Sequence, residues 1–148
     1  MSAPKQRHGG RHPLPDVTQL EALFSGLGIH AGTRVIAYDD SRFAFAARLW
    51  WLLRYVGHEQ VQLLDGGFKA WCEQGLAVTA SVPANTAQPF VARPRPQLVV
   101  DINEVKTVPH SPGAVLIDSR EAKRFLGIEE PIDPVAGHIN GAENYPWQ

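Results

Sequence analysis

Cysteine is almost absent from this sequence of 148 residues, which contains only Cys72. One cysteine cannot form an internal disulfide, and it cannot supply the several thiolates of a cysteine-rich zinc or iron–sulfur site. The 6 histidines offer no replacement, because they have no ligand-spaced cysteine or carboxylate. We therefore expect no metal and no cofactor, and the cysteine content fits a reducing cytoplasm.

Long apolar runs and an excess of one charge are also missing. No apolar run approaches the roughly 18 residues that a membrane-spanning helix requires. Lys and Arg total 14 against 15 Asp and Glu, and this balance argues against a nucleic-acid or membrane-surface partner. The basic residues 1–12 lack the apolar core of a signal peptide, so we expect a mobile arm there and a cytoplasmic location.

Proline is concentrated in one part of the chain. Six of the 12 prolines fall between residues 83 and 112, which is typical of an extended connector. Strand and helix patterns alternate on either side, which predicts an α/β fold with a parallel sheet and crossover helices. We expect one α/β piece over residues 13–82, a proline-rich linker over 83–98 and a second piece over 99–148.

Hydrophobic periodicity places the elements of the first piece. Apolar residues at helical spacing follow Asp16, a favourable N-cap residue, and stop at Gly28. Gly66-Gly67 is interpreted as a turn and not as a phosphate loop, because no Lys-Ser/Thr follows it. The predicted elements are a helix over 16–27, a strand over 34–38, a helix over 43–56, a strand over 61–64 and a helix over 68–74.

The second piece is shorter. A short helix is predicted within 99–108 with Asp101 as its cap, followed by a buried strand over 114–117. A helix containing Arg124 comes next, and a polar loop leads to one more short extended segment near the end of the chain.

Two arginines after the strand over 114–117 are the candidate functional residues. Arg120 and Arg124 are four residues apart, so on a helix they share a face beyond the carboxyl end of a parallel strand, where α/β sheets bind ligands. Two guanidiniums there can clamp a small oxyanion. The alternative is structural, with one or both arginines paired to Asp118, Glu121 or Glu130.

Cys72 is predicted to be unreactive. It lies late in a short helix beside Glu73, whereas a reactive thiolate is favoured at a helix N-terminus or beside cations.

Several motifs resemble the tandem-rhodanese sulfurtransferases. The segments that are similar to the second half of the N-terminal domain of that family are Val35-Ile-Ala-Tyr-Asp-Asp40, Ala46-Ala-Arg-Leu-Trp-Trp-Leu-Leu-Arg54, Gly57-His58 and Leu63-Leu-Asp-Gly-Gly-Phe-Lys-Ala-Trp71. Those similar to the first half of the C-terminal domain are Val115-Leu-Ile-Asp-Ser-Arg120, Arg124-Phe-Leu-Gly127, Glu130-Pro131 and Gly137-His-Ile-Asn-Gly-Ala142. The resemblance implies two rhodanese-like half-domains joined by the proline-rich linker.

The resemblance also implies a chemistry. The family passes sulfane sulfur from thiosulfate or 3-mercaptopyruvate to an acceptor through a cysteine persulfide. It implies that Arg124 contacts the anionic donor, and that Asp118, Arg120 and Glu130 support the active-site loop. The partner of the intact protein would then be a small anionic sulfur donor.

Some positions depart from the family pattern. The catalytic cysteine of the family lies downstream of the Gly137 motif, beyond Gln148, while Asp39 stands at the equivalent position of the N-terminal domain, and Cys72 matches neither. Ile132 stands where mercaptopyruvate-type members often carry Arg, which favours thiosulfate, and Asn140 replaces the usual Pro of its turn.

These departures lead to two hypotheses. In one, the chain is part of a sulfurtransferase and is inactive alone. In the other, it is a non-catalytic rhodanese-like binding or regulatory module. Half-domains leave sheet edges and apolar faces uncovered, so we expect a homo-oligomer or the missing half-domains as partners.

Overall fold

A computed structural model describes residues 1–3 and 10–147 of the chain. The chain divides into two compact units, Met1–Leu98 and Val99–Gln148. Each unit contains one pair of short parallel strands. The expected α/β class, with parallel strands and a crossover helix, is therefore confirmed.

The first unit is organised around a β–α–β crossover. Its strands pair in parallel, with Val35 opposite Val61 and Ala37 opposite Leu63. Every predicted element is present within about two residues of its expected ends. In chain order the elements are α1 (Val17–Gly26), β1 (Val35–Ala37), α2 (Ala44–Tyr55), β2 (Val61–Leu63) and α3 (Gly67–Glu73).

The ends of α1 follow from local chemistry. Asp16 is extended at the N-cap, and its N–H donates to Gln19 Oε1 at 3.2 Å. The chain turns away after the helix at Gly28, whose φ is +75°. A Cβ on Gly28 would lie 2.8 Å from the carbonyl oxygen of Thr86, so only glycine allows this close approach.

The hydrophobic core lies in the first unit and includes part of the proline-rich segment. Phe90 is 8% exposed and meets the ring of Phe24 edge-on, with 5.2 Å between the ring centroids. The N–H groups of Arg93 and Arg95 donate to carbonyl oxygens at the end of α2 and just after it, both at 2.8 Å. The segment predicted as a linker thus packs onto the first unit, and it ends in a 3₁₀ turn over Pro96–Leu98. The core cluster consists of Leu20, Phe24, Ile29, Leu52, Leu53, Val56, Val61 and Phe90.

Among the described residues, the two faces of the first sheet are covered unequally. Ala37 is buried, whereas Ile36 and Tyr38 are exposed on the opposite face because side chains alternate along a strand. This uncovered face forms an apolar groove of about 490 Å³, lined by Ile36, Tyr38, Leu64, Phe68, Trp71, Ala77, Val78 and Thr79.

The second unit consists of α4 (Ile102–Thr107), β3 (Leu116–Asp118), α5 (Ala122–Phe125) and β4 (Ala142–Asn144). Asp101 caps α4 as predicted, with its Oδ1 accepting the N–H groups of Asn103 and Glu104 at 2.8 and 2.9 Å. The two strands pair in parallel. Among the described side chains of this unit, no apolar one is fully buried.

Residues 4–9 of the arm predicted over 1–12 lie outside the described residues. The described ends of that arm are held by Arg48 of α2, whose Nε donates to the carbonyl oxygen of Met1 at 2.9 Å. Its Nη2 donates to the carbonyl oxygens of His12 and Pro13, both at 3.2 Å. None of the helices in the described residues is long and apolar enough to span a membrane.

The packing of Phe90 predicts that the proline-rich segment stabilises the first unit. Phe90→Ala should lower the free energy of unfolding by about 3 kcal/mol, because it removes a buried aromatic ring from the core. Val91→Ala is the matched control, since Val91 is 74% exposed. Urea unfolding of the two variants measures the difference, and equal stabilities would show that the segment contributes no core.

Candidate functional site

Asp118 closes β3 and fixes how the chain leaves the strand. Its Oδ1 accepts the N–H of Arg120 at 2.9 Å, and both of its oxygens accept from Arg120 Nε at 3.0 Å. The hydrogen bond from the Arg120 side chain is the main reason why the pKa of Asp118 is lowered. Asp118 therefore stays ionised and holds Arg120 against the end of the strand.

Arg120 connects three parts of the second unit. Its Nη2 donates to Asp118 Oδ2 at 2.5 Å and to the carbonyl oxygen of Gly137 at 2.6 Å. Its Nη1 lies 3.4 Å from Glu130 Oε2. These acceptors occupy the Arg120 guanidinium, which therefore has a structural role, as the alternative interpretation of the sequence predicts. Few of its N–H groups remain to bind a ligand.

The end of β4 holds the same loop from the other side. Asn144 Nδ2 donates to the carbonyl oxygens of Asp118 and Arg120 at 3.0 and 2.9 Å. The N–H of Tyr145 also donates to the carbonyl oxygen of Asp118 at 3.0 Å. Asn144 was not predicted from the sequence; the available signal was a polar residue at the carboxyl end of a parallel strand.

Glu130 is the central carboxylate of the second unit. It accepts the N–H groups of Ile132 and Asp133 at 3.0 and 2.9 Å, and it pairs with Arg124 Nε and Nη2 in a two-point contact. Its side chain is only 5% exposed. The backbone N–H of Asp133, followed by Arg124 and the N–H of Ile132, lowers the pKa of Glu130 to about 2 against the opposing effect of burial.

Arg124 projects from α5 toward this carboxylate. Its Nη2 donates to Glu130 Oε1 at 2.8 Å and to Asp133 Oδ2 at 2.9 Å, and its side chain is 13% exposed. Within the described residues, no acceptor is within hydrogen-bonding distance of its Nη1. A cation held by its Nε and Nη2 edge in this way retains N–H groups that can bind an anion.

His138 anchors the following turn to α5. Its ring stacks on Phe125 at a centroid distance of 3.7 Å, and its Nδ1 lies 2.7 Å from the carbonyl oxygen of Phe125. Because that oxygen can only accept, Nδ1 carries the proton. The turn that presents the Gly137 carbonyl to Arg120 is thereby held against α5.

The first unit contains a second carboxylate at a strand end, Asp39. Its Oδ1 accepts the N–H groups of Ser41 and Phe43 at 2.9 and 3.0 Å, and its Oδ2 those of Phe45 and Ala46 at 2.9 and 2.8 Å. These N–H groups, that of Ala46 foremost, lower the pKa of Asp39. The chain's own carboxylate thus fills a ring of backbone donors at the start of α2.

The loop that makes this ring is shaped by unusual backbone conformations. Arg42 and Phe43 have φ values of 53° and 68°, which turn successive N–H groups toward one point. The turn after β2 supports the loop, since the N–H of Phe68 donates to the Asp39 carbonyl oxygen at 3.0 Å. Gly67 has φ +60°, and a Cβ there would lie 2.6 Å from that oxygen, which explains the glycine.

Cys72 lies in the last turn of α3 and is exposed. It is not part of the ring of N–H groups around Asp39. Among the described residues, no group of His, Cys, Asp and Glu has the geometry of a metal site.

The four site residues predicted in the second unit therefore come together in one network. Asp118, Arg120, Arg124 and Glu130 are linked by hydrogen bonds, whereas Asp39 lies in the other unit. Asp133 was not predicted as a site residue. Its sequence signal is its position three residues after Glu130, where a turn places it beside Arg124.

Known proteins of one family are similar to this chain. Residues 2–74 match the model of the rhodanese-like domain. The chain is 43% identical over 145 residues to the “Probable 3-mercaptopyruvate sulfurtransferase” of Pseudomonas aeruginosa, covering 97% of this chain and 51% of the relative. It also superposes on the crystal structure of SseA from Escherichia coli, a 3-mercaptopyruvate sulfotransferase of rhodanese fold, with a TM-score of 0.82 and 30% identity over 99% of this chain and 54% of that one.

The chain belongs to the rhodanese family. The resemblance inferred from the sequence motifs is thereby confirmed, including the motifs on both sides of the proline-rich segment. A relative in Mycobacterium tuberculosis, SseB, carries a thiosulfate sulfurtransferase name and is 37% identical over 138 residues, which are 93% of this chain and 49% of the relative. The rhodanese chain spans about half the length of these relatives.

The ring of donors around Asp39 predicts a specific loss of stability. Asp39→Ala should lower the free energy of unfolding by about 2 kcal/mol at pH 7, because it leaves helix-start N–H groups without their acceptor. Asp40→Ala is the control, since Asp40 is exposed and, among the residues that the structure describes, accepts a hydrogen bond from the Ser41 hydroxyl alone.

The difference between these variants should depend on pH in a defined direction. The folded-state pKa of Asp39 lies below its unfolded value, so its contribution is complete above about pH 4 and disappears as the pH falls through the folded-state pKa. Chemical unfolding at several pH values tests this. Equal losses for Asp39→Ala and Asp40→Ala would show that the ring does not hold the loop.

Proposed function

We propose that this chain contributes the donor-anion contact of a rhodanese-family sulfurtransferase, with Arg124 as the residue that binds the anion. The donor class is a small sulfur-containing anion, thiosulfate or 3-mercaptopyruvate. Asp118, Arg120 and Glu130 position the arginine and its loop and do not contact the donor. In the whole protein, a cysteine thiolate takes up the transferred sulfur.

One observation carries this proposal. Arg124 is held at its Nε and Nη2 edge by a carboxylate that stays ionised, while its Nη1 has no protein acceptor among the described residues. This geometry fixes the position of the cation without satisfying all of its donors. Among the described residues, the buried side-chain nitrogen or oxygen without a hydrogen-bond partner is His58 Nε2, so Arg124 Nη1 reaches solvent, where an anion can approach it.

The relatives favour the same class of chemistry. Those reported above carry 3-mercaptopyruvate or thiosulfate sulfurtransferase names. For thiosulfate, the transfer breaks the S–S bond of the donor, releases sulfite and forms a persulfide on the cysteine thiolate. A thiophilic acceptor such as cyanide then takes the outer sulfur and regenerates the thiolate. Ile132, in place of an arginine, favours thiosulfate over 3-mercaptopyruvate.

A second candidate function is a non-catalytic anion-binding module. This function is favoured because neither candidate position for a catalytic nucleophile, residue 39 or residue 72, carries a cysteine that is held by backbone N–H groups. Asp39 fills the ring of N–H groups in the first unit, and Cys72, the only cysteine, is exposed in the last turn of α3. We therefore propose that the chain alone binds the donor but does not turn it over.

Thiosulfate binding tests the proposal directly. Calorimetric titration of the chain with sodium thiosulfate at low ionic strength should show saturable binding. Arg124→Ala should weaken this binding by about tenfold or more, since a charge-assisted contact contributes about 1.5–3 kcal/mol. Lys123→Ala is the control, because Lys123 lies next in sequence and pairs with Glu129 instead.

The accompanying assay is transfer of sulfur from thiosulfate to cyanide, followed as thiocyanate. The chain alone should form none above the uncatalysed rate. Turnover that is abolished by Cys72→Ser would place the nucleophile on α3 and contradict the proposal. Binding that Arg124→Ala and Lys123→Ala affect equally would remove Arg124 from the anion contact.

A further inference from the structure

His58 has a buried ring nitrogen without a hydrogen-bond partner. The residue is only 4% exposed, and its Nε2 forms no hydrogen bond within the described part of the chain. Its backbone is fixed, because its N–H donates to the carbonyl oxygen of Leu53 at 2.9 Å. A buried nitrogen in this state costs free energy, and nearly all such atoms in native proteins are paired with protein, water or ligand. His58 therefore marks a place where a further polar group is favourable.

His58 lines a cleft of about 390 Å³ in the first unit. One wall is the turn after α2, over residues 57–60, and the other is formed by residues 89–91 and Arg93 of the proline-rich segment. Val56 and Phe90 contribute apolar surface to it. Ligand cavities have volumes of about 300–1,000 Å³, so this cleft suits a small molecule.

The two walls are fixed by the fold itself. The N–H of Arg93 donates to the carbonyl oxygen of Val56 at 2.8 Å, and the N–H of Phe90 donates to Ser25 Oγ at 3.1 Å. Gly57, with φ +87°, allows the close approach of the walls, since a Cβ there would lie 2.9 Å from the Arg93 carbonyl oxygen. A ligand therefore enters a cleft that is already ordered, which favours binding.

Cations outnumber carboxylates at the two walls. Glu59 pairs with Arg54 at 3.0 Å and with Arg95. Glu21 accepts a backbone N–H of the proline-rich segment at 2.7 Å. The guanidinium of Arg93, by contrast, has no acceptor among the residues that the structure describes. Three guanidiniums against two carboxylates leave a positive charge, which attracts an anion.

The side chains at the cleft select the chemistry of that anion. A guanidinium without a partner binds a carboxylate through two parallel hydrogen bonds. The ring of Phe90 lies 6.0 Å from that of His58 at an angle of 50°, and aromatic surfaces of this kind favour a further ring. Half a turn of the His58 ring about its Cβ–Cγ bond exchanges nitrogen for carbon along its rim without changing its volume. The imidazole can therefore present a nitrogen to the cleft.

We propose that this cleft binds a small aromatic carboxylate, with the carboxylate bound by Arg93 and the ring packed between the two walls. His58 supplies a further hydrogen bond to the bound anion. The site is built from residues of the first unit and does not use Arg124. It is therefore a second anion site, independent of the proposed sulfur-donor contact.

Titration of the full chain with sodium benzoate, followed by ¹H–¹⁵N NMR, tests the proposal. The amide signals of His58, Gln60 and Phe90 should shift in a saturable way. Benzamide has the same ring without the charge and should bind about tenfold more weakly, since it loses the charge-assisted contact. Acetate has the charge without the ring and should also bind more weakly than benzoate.

Variants assign the contacts. Arg93→Ala should weaken benzoate binding by about tenfold. Lys69→Ala is the control for net charge, because Lys69 pairs with Glu73 on α3 and does not line the cleft. His58→Phe keeps a ring and removes the unpaired nitrogen. It should weaken benzoate binding by about threefold, while the urea midpoint of unfolding stays equal or rises.

The outcomes are distinct. Saturable benzoate binding that Arg93→Ala weakens and Lys69→Ala does not supports the site. Absence of saturable shifts, equal effects of these two variants, or equal affinities for benzoate and benzamide overturn it. Shifts confined to the amides around Arg124 overturn it as well and assign benzoate to the other anion contact. Unchanged affinity in His58→Phe overturns the hydrogen bond from His58.

Discussion

A carboxylate at the carboxyl end of a parallel strand organises each unit of this protein. Asp39 after β1 and Asp118 at the end of β3 each use Oδ1 to accept the N–H of the residue two positions on, in both cases at 2.9 Å. This bond turns the chain out of the strand and sets the direction of the loop that follows. The strands are only three residues long, so the loops, and not the sheets, determine where the functional side chains lie.

The strand-end carboxylate binds different donors in the two units. In the first unit the remaining donors are backbone N–H groups, and the carboxylate of Asp39 is enclosed by the start of α2. In the second unit the carboxylate of Asp118 instead binds Arg120, which extends the network through Glu130 to Arg124. The result is a closed ring of donors in the first unit and, in the second, a cation with an N–H group that has no acceptor among the described residues.

Hydrogen bonds between polar groups contribute more to holding the second unit together than they do in the first unit. The first unit buries a cluster of aliphatic and aromatic side chains, and α2 with the segment around Phe90 covers it. No apolar side chain described in the second unit is fully buried, yet the side chain of Glu130 is 5% exposed. Its loops are therefore held chiefly by directional hydrogen bonds, which fix the site geometry but depend on ionisation.

The sequence predicted the elements of the fold better than it predicted the site. Periodicity, the caps at Asp16 and Asp101 and the glycine stops act over a few residues, and the structure places those elements as expected. The ring around Asp39 was not foreseen, because it depends on left-handed backbone at Arg42 and Phe43, which no local preference indicates.

The sequence predicted some of the acceptors that pair with Arg120 and Arg124, but not all of them. Asp118 and Glu130 were foreseen as partners of Arg120 and Arg124, since both are close in the chain. Asp133 and the Gly137 carbonyl were not, because the loop between α5 and β4 brings them back across nine and 17 residues. The family resemblance implied roles for the charged residues, and the structure shows which of their atoms already form hydrogen bonds within the protein.

Glu130, ionised throughout mildly acidic and neutral solution, is the anchor that holds Arg124 in place. Its direct test is a pH titration of the Glu130 ¹³C side-chain carboxyl resonance by NMR. The pKa of Glu130 should be about 2, while that of an ordinary glutamate is about 4.3. The anchor should therefore persist throughout mildly acidic solution and be lost only as the pH approaches 2. Titration of Glu130 near pH 4.3 would contradict the account.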